Sequence, residues 1–215
     1  MGNNKAVIFD VDGTIWDASD QVARSWSKTL SNIAGEKVVI TTEAMRKTMG
    51  LMMDEIAKII LPESLGGLDR NALLERCMSE ENAYLSEHPG VYYPGVAECI
   101  EHIAKHVKVY ILSNAQTGYI EAMLANARFK PLIAGFACYG DQKLEKADNL
   151  AYLMKKEGID EAVYVGDTAH DEEETHKAGL PFIHAAYGYG KAIDPEGSAP
   201  APSAVYPIAK QLLNW

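Results

Sequence analysis

Positive charge is the scarce kind in this chain: 20 Lys and Arg stand against 30 Asp and Glu, a formal net charge of −10 over 215 residues. Nucleic acids and anionic membranes both require a basic face, so neither is expected as a partner. Cysteine is sparse as well. Cys77, Cys99 and Cys138 are odd in number, far apart and in no CxxC pair. Three buried small side chains in a reducing, cytoplasmic setting are their simplest account. No apolar run reaches the length of a membrane span. Nor does the opening Met1-Gly2-Asn3-Asn4-Lys5, which leads straight into a short apolar strand, carry the long apolar segment and cleavage site of a secretory signal. There is no internal repeat, and the single biased segment, residues 194–202, reads as a loop before a short helix at 208–213.

What the chain does have is a rhythm of strands and helices. Residues 5–10 form a short apolar run closed by an aspartate and an Asp-Gly turn. Similar runs cover residues 107–113, 132–138, 161–166 and 180–185. Between them lie helical patterns: Val96, Cys99, Ile100 and Ile103 share one face, as do Leu150, Ala151, Leu153 and Met154. Such alternation predicts an α/β fold with a parallel sheet covered on both faces.

Residues 17–88 break the rhythm and read as helices without a strand. Val22, Trp26, Leu30 and Ile33 stripe a first helix; Leu73, Leu74, Cys77, Met78, Tyr84 and Leu85 stripe a last one. Two short helices are expected between them, at 42–49 and 54–60. The predicted organisation is a core of residues 1–16 and 90–215, with a small all-helical cap of residues 17–89 inserted after the first strand. The joints fall near 15–17 and 89–94.

In parallel α/β sheets a ligand sits beyond the carboxyl ends of the strands, and here chemistry gathers at those ends. The first reads Asp10-Val11-Asp12-Gly13-Thr14. Around so tight a turn Asp10 can present an oxygen to phosphorus while Asp12 reaches the leaving-group oxygen, Gly13 allowing the chain to turn back. The fourth reads Gly166-Asp167-Thr168-Ala169-His170-Asp171. Asp167 beside Asp10 would supply oxygen ligands for a hard ion such as Mg²⁺, and Asp171 could orient the site from behind. The Glu172-Glu173-Glu174 run that follows suits the start of a helix. At the second strand end, the Ser113 hydroxyl with the backbone N–H groups around Asn114 can bind a phosphoryl oxygen, although a lone serine there is more often a helix cap. Lys143 and Lys146 precede a helix, and either could neutralise phosphoryl charge; Lys146 adjoins the helix start and is preferred. His102 and His106 stand four apart on a helix, as zinc ligands can, but with no third ligand nearby a solvated helix face is the better reading.

These four motifs, in this order, resemble those of the haloacid dehalogenase-like superfamily, and within it the phosphoglycolate phosphatase group with a small helical cap. The resemblance spans nearly the whole chain, including Gly50 in the cap, Tyr93-Pro94-Gly95-Val96, Ala178-Gly179 and Tyr187-Gly188-Tyr189-Gly190. It implies a Rossmann-like core and an enzyme that hydrolyses a small phosphomonoester, phosphoglycolate-like or a sugar phosphate. It further implies Asp10 as nucleophile, Asp12 as general acid/base, Ser113, Asn114 and Lys146 on the phosphoryl group, and Mg²⁺ on Asp10, the Asp12 carbonyl and Asp167. Many relatives follow the motif lysine with proline; Ala147 stands here, so Lys143 remains a candidate beside Lys146.

Asp12 argues against a dehalogenase or phosphonatase, which lack that acid. A β-phosphoglucomutase-like phosphomutase keeps both aspartates and stays as the alternative, and a non-catalytic phospho-acceptor module is a more distant one. The expected partner is a small phosphorylated metabolite. For specificity the cap offers Arg24, Arg46, Lys47 and Lys58, of which Arg46 and Lys47 are the pair to examine.

Overall fold

The computed structural model describes residues 4–62, 65 and 67–215. Six parallel strands form one sheet in the order β5-β4-β1-β6-β7-β8: β1 (Lys5–Phe9), β4 (Lys108–Ser113), β5 (Ile133–Cys138), β6 (Glu161–Gly166), β7 (Phe182–Ala185) and β8 (Gly197–Ala199). β1 lies near the middle, with Phe9 opposite Ile111 on one side and Val165 on the other. Its near-continuous apolar sequence follows from that position, because successive side chains face opposite layers and both layers are covered. Ala6 and Ile8 join Tyr110, Leu112 and Tyr164 beneath Leu150 and Leu153 of α8 (Lys146–Glu157). Val7 and Phe9 join Val109, Ile111 and Val163 on the other layer, with Ile100 and Ile103 of α5 (Val96–Ile103) and Val205 and Ala209 of α10 (Val205–Leu213). The parallel α/β sheet predicted from the strand runs is therefore the architecture observed.

The helical insertion leaves and rejoins this core at one place. β2 (Trp16–Asp17) and β3 (Val91–Tyr92) pair antiparallel, Trp16 opposite Tyr92 and Asp17 opposite Val91. Between them run α1 (Ser19–Ala34), α2 (Thr42–Arg46), α3 (Met53–Ile60) and α4 (Arg70–Glu87). Val22, Trp26 and Leu30 of α1 and Leu73, Leu74, Cys77 and Leu85 of α4 are buried, as their stripes predict. The joints expected near 15–17 and 89–94 coincide with this two-stranded ribbon. The chain crosses itself tightly there, for a Cβ on Gly90 would stand 2.8 Å from the Asp17 carbonyl oxygen.

Three further differences have local causes. The loop expected over 194–202 contains β8, a three-residue edge strand that pairs with β7 through Ile183 and Gly197. Pro207 sits in the first turn of α10, where its missing N–H is harmless, so the helix starts at Val205 rather than after the proline. The helix expected at 42–49 stops at Arg46. Three cysteines are free and buried, and among the described residues no helix is long and apolar enough to cross a membrane.

Candidate active site

Asp10, 4% exposed, follows the last residue of β1, and its backbone N–H is anchored to the Val165 carbonyl of β6 at 2.8 Å. Its Oδ1 takes the Lys146 ammonium at 3.1 Å and lies 3.1 Å from the Tyr164 hydroxyl, which also reaches the Leu112 carbonyl at 2.9 Å. Lys146, 1% exposed at the first position of α8, bridges Asp10 and Asp171. Burial opposes the Lys146 charge, yet the two carboxylates hold its pKa well above the usual lysine value. Lys143, just past α7 (Tyr139–Gln142), is in a left-handed conformation (φ 55°) over the Tyr139 ring and pairs with neither Asp10 nor Asp171. The structure brings Lys146, not Lys143, to the site.

Asp167 and Asp171 come from the end of β6 and the first turn of α9 (Ala169–Lys177). Thr168 caps that helix, accepting from the Asp171 N–H at 3.1 Å while Asp171 Oδ2 accepts from the Thr168 N–H at 3.0 Å. Asp171 Oδ2 also takes the Asp167 N–H at 3.2 Å and the Thr168 hydroxyl at 2.7 Å. Burial would raise its pKa, but the Lys146 charge and these donors bring it below the ordinary value. Asp167 is different. Its Oδ2 accepts the backbone N–H groups of Tyr189 at 2.7 Å and Gly190 at 3.1 Å. Burial, with the charges of Asp171 and Asp10, pushes its carboxyl up to about 7; burial and Asp171 likewise push Asp10 to about 6 against the pull of Lys146.

Asp10, Asp167 and Asp171 can each offer an oxygen within 4.8 Å of the others, and all three are buried. An all-carboxylate donor set of this kind suits a hard divalent cation. Within it the labour is divided. Asp171 has both oxygens occupied by protein donors, which fits the orienting role expected of it. Asp10 Oδ2 and Asp167 Oδ1 accept nothing from the described residues and are the oxygens open to a cation. The Asp12 carboxyl stands outside the trio.

Asp12 instead receives the Tyr119 hydroxyl on Oδ1 at 2.7 Å. Burial of the carboxyl, helped by the charges of Asp10, Glu81 and Asp167 and opposed by that hydrogen bond, holds its pKa well above the usual range. The turn between the aspartates depends on Gly13, with φ +77° and a Cβ position only 2.2 Å from Asp167 Oδ2. Ser113 is no helix cap: α6 (Tyr119–Ala125) begins later, and the Ser113 hydroxyl accepts from the Ala115 N–H at 3.2 Å while facing the same pocket as Asp10. Asn114 donates to the Gly50 carbonyl at 3.2 Å, tying the core to the α2–α3 turn.

The remaining expectations divide. Arg46 pairs with Asp17 at 3.0 Å, Lys47 with Glu43 at 2.8 Å and Arg24 with Asp20 at 2.8 Å; none of these or Lys58 lines the pocket. Glu172 and Glu174 are buried and hold loops, accepting from the Asp194 and Ala147 N–H groups. His102 and His106 flank the Tyr206 ring. Four site residues were not anticipated: Tyr119, Tyr164, Glu81 and Gln116. Glu81, 3% exposed on α4, accepts from Trp26 Nε1 at 2.5 Å and from Gln116 Nε2 at 3.0 Å. Only the stripe on α4 hinted at it, since a glutamate at that register would face inward.

The profile described as haloacid dehalogenase-like hydrolase matches residues 7–185, from β1 through β7. The chain belongs to that family. It is similar to the phosphoglycolate phosphatase of Pseudomonas putida, 26% identical over 225 aligned positions covering 97% of this chain and 78% of the relative. It is also similar to that of Escherichia coli O157:H7, 24% identical over 244 aligned positions covering 97% and 91%. In fold it resembles a predicted phosphoglycolate phosphatase from Haemophilus somnus, with a TM-score of 0.79, 19% identity and coverage of 97% of this chain and 99% of that one. A haloacid dehalogenase-like family hydrolase from Streptococcus pneumoniae superposes with a TM-score of 0.78, 19% identity and coverage of 93% and 95%.

Proposed function

We propose that this chain is a Mg²⁺-dependent phosphatase that hydrolyses a small phosphomonoester through an aspartyl-phosphate on Asp10, with residues 17–89 serving as its cap. One observation carries the reading. Asp10 keeps one oxygen free of protein donors, while two residues later Asp12 carries a buried carboxyl that meets the Tyr119 hydroxyl and whose pKa burial raises above the ordinary value. A nucleophile and an acid of the same residue type are thus separated by environment alone.

Asp10 and Asp167, with the Asp12 carbonyl, would hold the ion. Bound there, Mg²⁺ supplies positive charge against the phosphoryl group and the crowded carboxylates. Lys146 and Tyr164 hold the Asp10 carboxylate through Oδ1 and orient it for attack on phosphorus. The Asp12 proton passes to the departing alcohol oxygen as the ester bond breaks. Asp12, now a carboxylate still held by Tyr119, takes a proton from the water that attacks the aspartyl-phosphate and frees Asp10. Ser113 and Lys146 face the equatorial phosphoryl oxygens, where charge spreads in the transition state. Val22, Trp26, Met45, Met49 and Ile56 of the insertion line the approach and exclude water while an ester is bound. No observation among the described residues favours the phosphomutase alternative.

The test is phosphate release from a panel of small phosphomonoesters, with Mg²⁺ and with EDTA, for the native protein and Asp10→Asn. Release that requires Mg²⁺ and vanishes in Asp10→Asn is the expected result. Unchanged turnover by Asp10→Asn would overturn the mechanism.

A further inference from the structure

The pocket in front of Asp10 and Asp12 has carboxylates but no cation. Its charged lining residues are Asp10, Asp12 and Glu81, and no Lys, Arg or His is among the described residues that line it. Within the insertion Arg24 pairs with Asp20, Arg46 with Asp17, Lys47 with Glu43 and Arg76 with Glu80, and neither Lys28 nor Lys58 lines the pocket.

Glu81 is the unusual member. It is buried, and its two hydrogen bonds come from neutral donors, the Trp26 indole and the Gln116 amide. Burial pushes its carboxyl up to about 7; those bonds pull the other way, and no cation's charge contributes. Both N–H bonds of the Gln116 amide are spent, the second on Asn82 Oδ1 at 3.0 Å. A buried carboxylate without a cationic partner is costly, and the catalytic scheme above makes no use of it. Each Glu81 oxygen has one protein donor and a further lone pair, and the residue borders the open pocket. Around it the lining is thioether and aliphatic, Met45, Met49, Met53 and Leu51, suited to methylene or N-methyl groups.

We propose that the pocket selects a phosphomonoester whose alcohol carries an ammonium group, seated against Glu81 while the phosphoryl group meets Asp10. This rests on the phosphatase reading above. It separates the chain from the substrate named for its relatives, because phosphoglycolate would place a carboxylate against Glu81 and Asp12 with nothing positive to receive it. Like charges brought together in a site of low polarity repel strongly, whereas an ammonium there replaces its lost hydration with a charged acceptor.

The test compares ethanolamine phosphate, choline phosphate and phosphoglycolate, with phenyl phosphate, whose alcohol part carries no charge, as the reference, on native protein and on Glu81→Gln. The native kcat/KM for the better amino-alcohol ester should exceed that for phosphoglycolate by about a hundredfold, the scale of one charged hydrogen bond gained and one repulsion avoided. Glu81→Gln should lower the ratio of amino-alcohol ester to phenyl phosphate by about tenfold or more; taking the ratio cancels any general loss of activity or fold. A second readout needs no variant: free choline or ethanolamine should inhibit phenyl phosphate hydrolysis at concentrations where glycolate does not. Equal or better use of phosphoglycolate overturns the proposal, as does an unchanged ratio in Glu81→Gln. Failure of every ester, phenyl phosphate included, would instead overturn the phosphatase reading, and this proposal with it.

Discussion

The Tyr119 hydroxyl donates to Asp12 Oδ1 at 2.7 Å across 107 residues of sequence. That bond acts against the burial that raises the Asp12 pKa, so it tempers the acid rather than creating it. Removing it in Tyr119→Phe should raise the Asp12 pKa further. The basic limb of the kcat/KM profile, where Asp12 loses the proton it must give to the leaving group, should then move to higher pH. At neutral pH kcat should fall by about tenfold, since a carboxyl that is no longer oriented serves both proton transfers poorly. A pH profile that does not move would show that Tyr119 has no hold on the acid.

Lys146 and Lys143 make a sharper contrast. Lys146 lies between Asp10 and Asp171 with 1% of its side chain exposed, whereas Lys143 covers the Tyr139 ring. Lys146→Met should lower kcat/KM by about a thousandfold, as loss of a transition-state charge partner does. It should also destabilise the fold by about 3 kcal/mol or more, because Asp10 and Asp171 then face each other without compensation. Lys143→Ala should change kcat/KM by less than about twofold. Steady-state kinetics with urea melts of both variants checks the pair, and a reversed order would return Lys143 to the site.

The strand ends made Asp10, Ser113 and Asp167 legible. A buried parallel strand announces itself by an apolar run, and whatever polar residue follows it must lie on the ligand-bearing edge. Lys146 was readable by the same logic, one helix start later. Tyr164 and Tyr119 were not, because an aromatic residue inside a strand or helix stripe looks like core, and nothing local says that its hydroxyl ends beside Asp10 or Asp12. Arg46 misled for the opposite reason: its charge invited a substrate, yet its partner is Asp17 in the ribbon that carries the insertion. β8 escaped because Gly197-Ser198-Ala199 has no apolar run; register with Ile183 and Ala185, not propensity, makes it a strand.

Gly13 supplies a prediction about geometry alone. Its φ of +77° disfavours any side chain, and a Cβ there would sit 2.2 Å from Asp167 Oδ2. Gly13→Ala must displace the Asp167 carboxylate or the turn. Mg²⁺ affinity, followed by calorimetry, should fall by about tenfold or more, the scale seen when a metal carboxylate loses its support. Far-UV circular dichroism should keep its native shape. Native affinity in this variant would mean that Asp167 is not a ligand.

The last prediction concerns pH and the metal together. Asp10 and Asp167 have carboxyls pushed up to about 6 and about 7, chiefly by burial, from an ordinary value of 3.8. A carboxyl whose pKa is higher in the folded than in the unfolded chain stabilises the fold in acid, and that contribution is lost as pH rises through the folded value. The metal-free protein should therefore lose stability between about pH 5 and pH 8 from these two groups. A divalent cation binds the same oxygens in place of the protons, so its stabilising effect should grow over the same interval. Differential scanning calorimetry should give a Mg²⁺-induced rise in Tm that is several degrees larger at pH 8 than at pH 5. Asp167→Asn should remove most of that rise and flatten the pH dependence of the metal-free Tm. If Mg²⁺ raises Tm equally at both pH values, or does so undiminished in Asp167→Asn, the ion binds elsewhere and the carboxylate trio is an ion-pair network around Lys146.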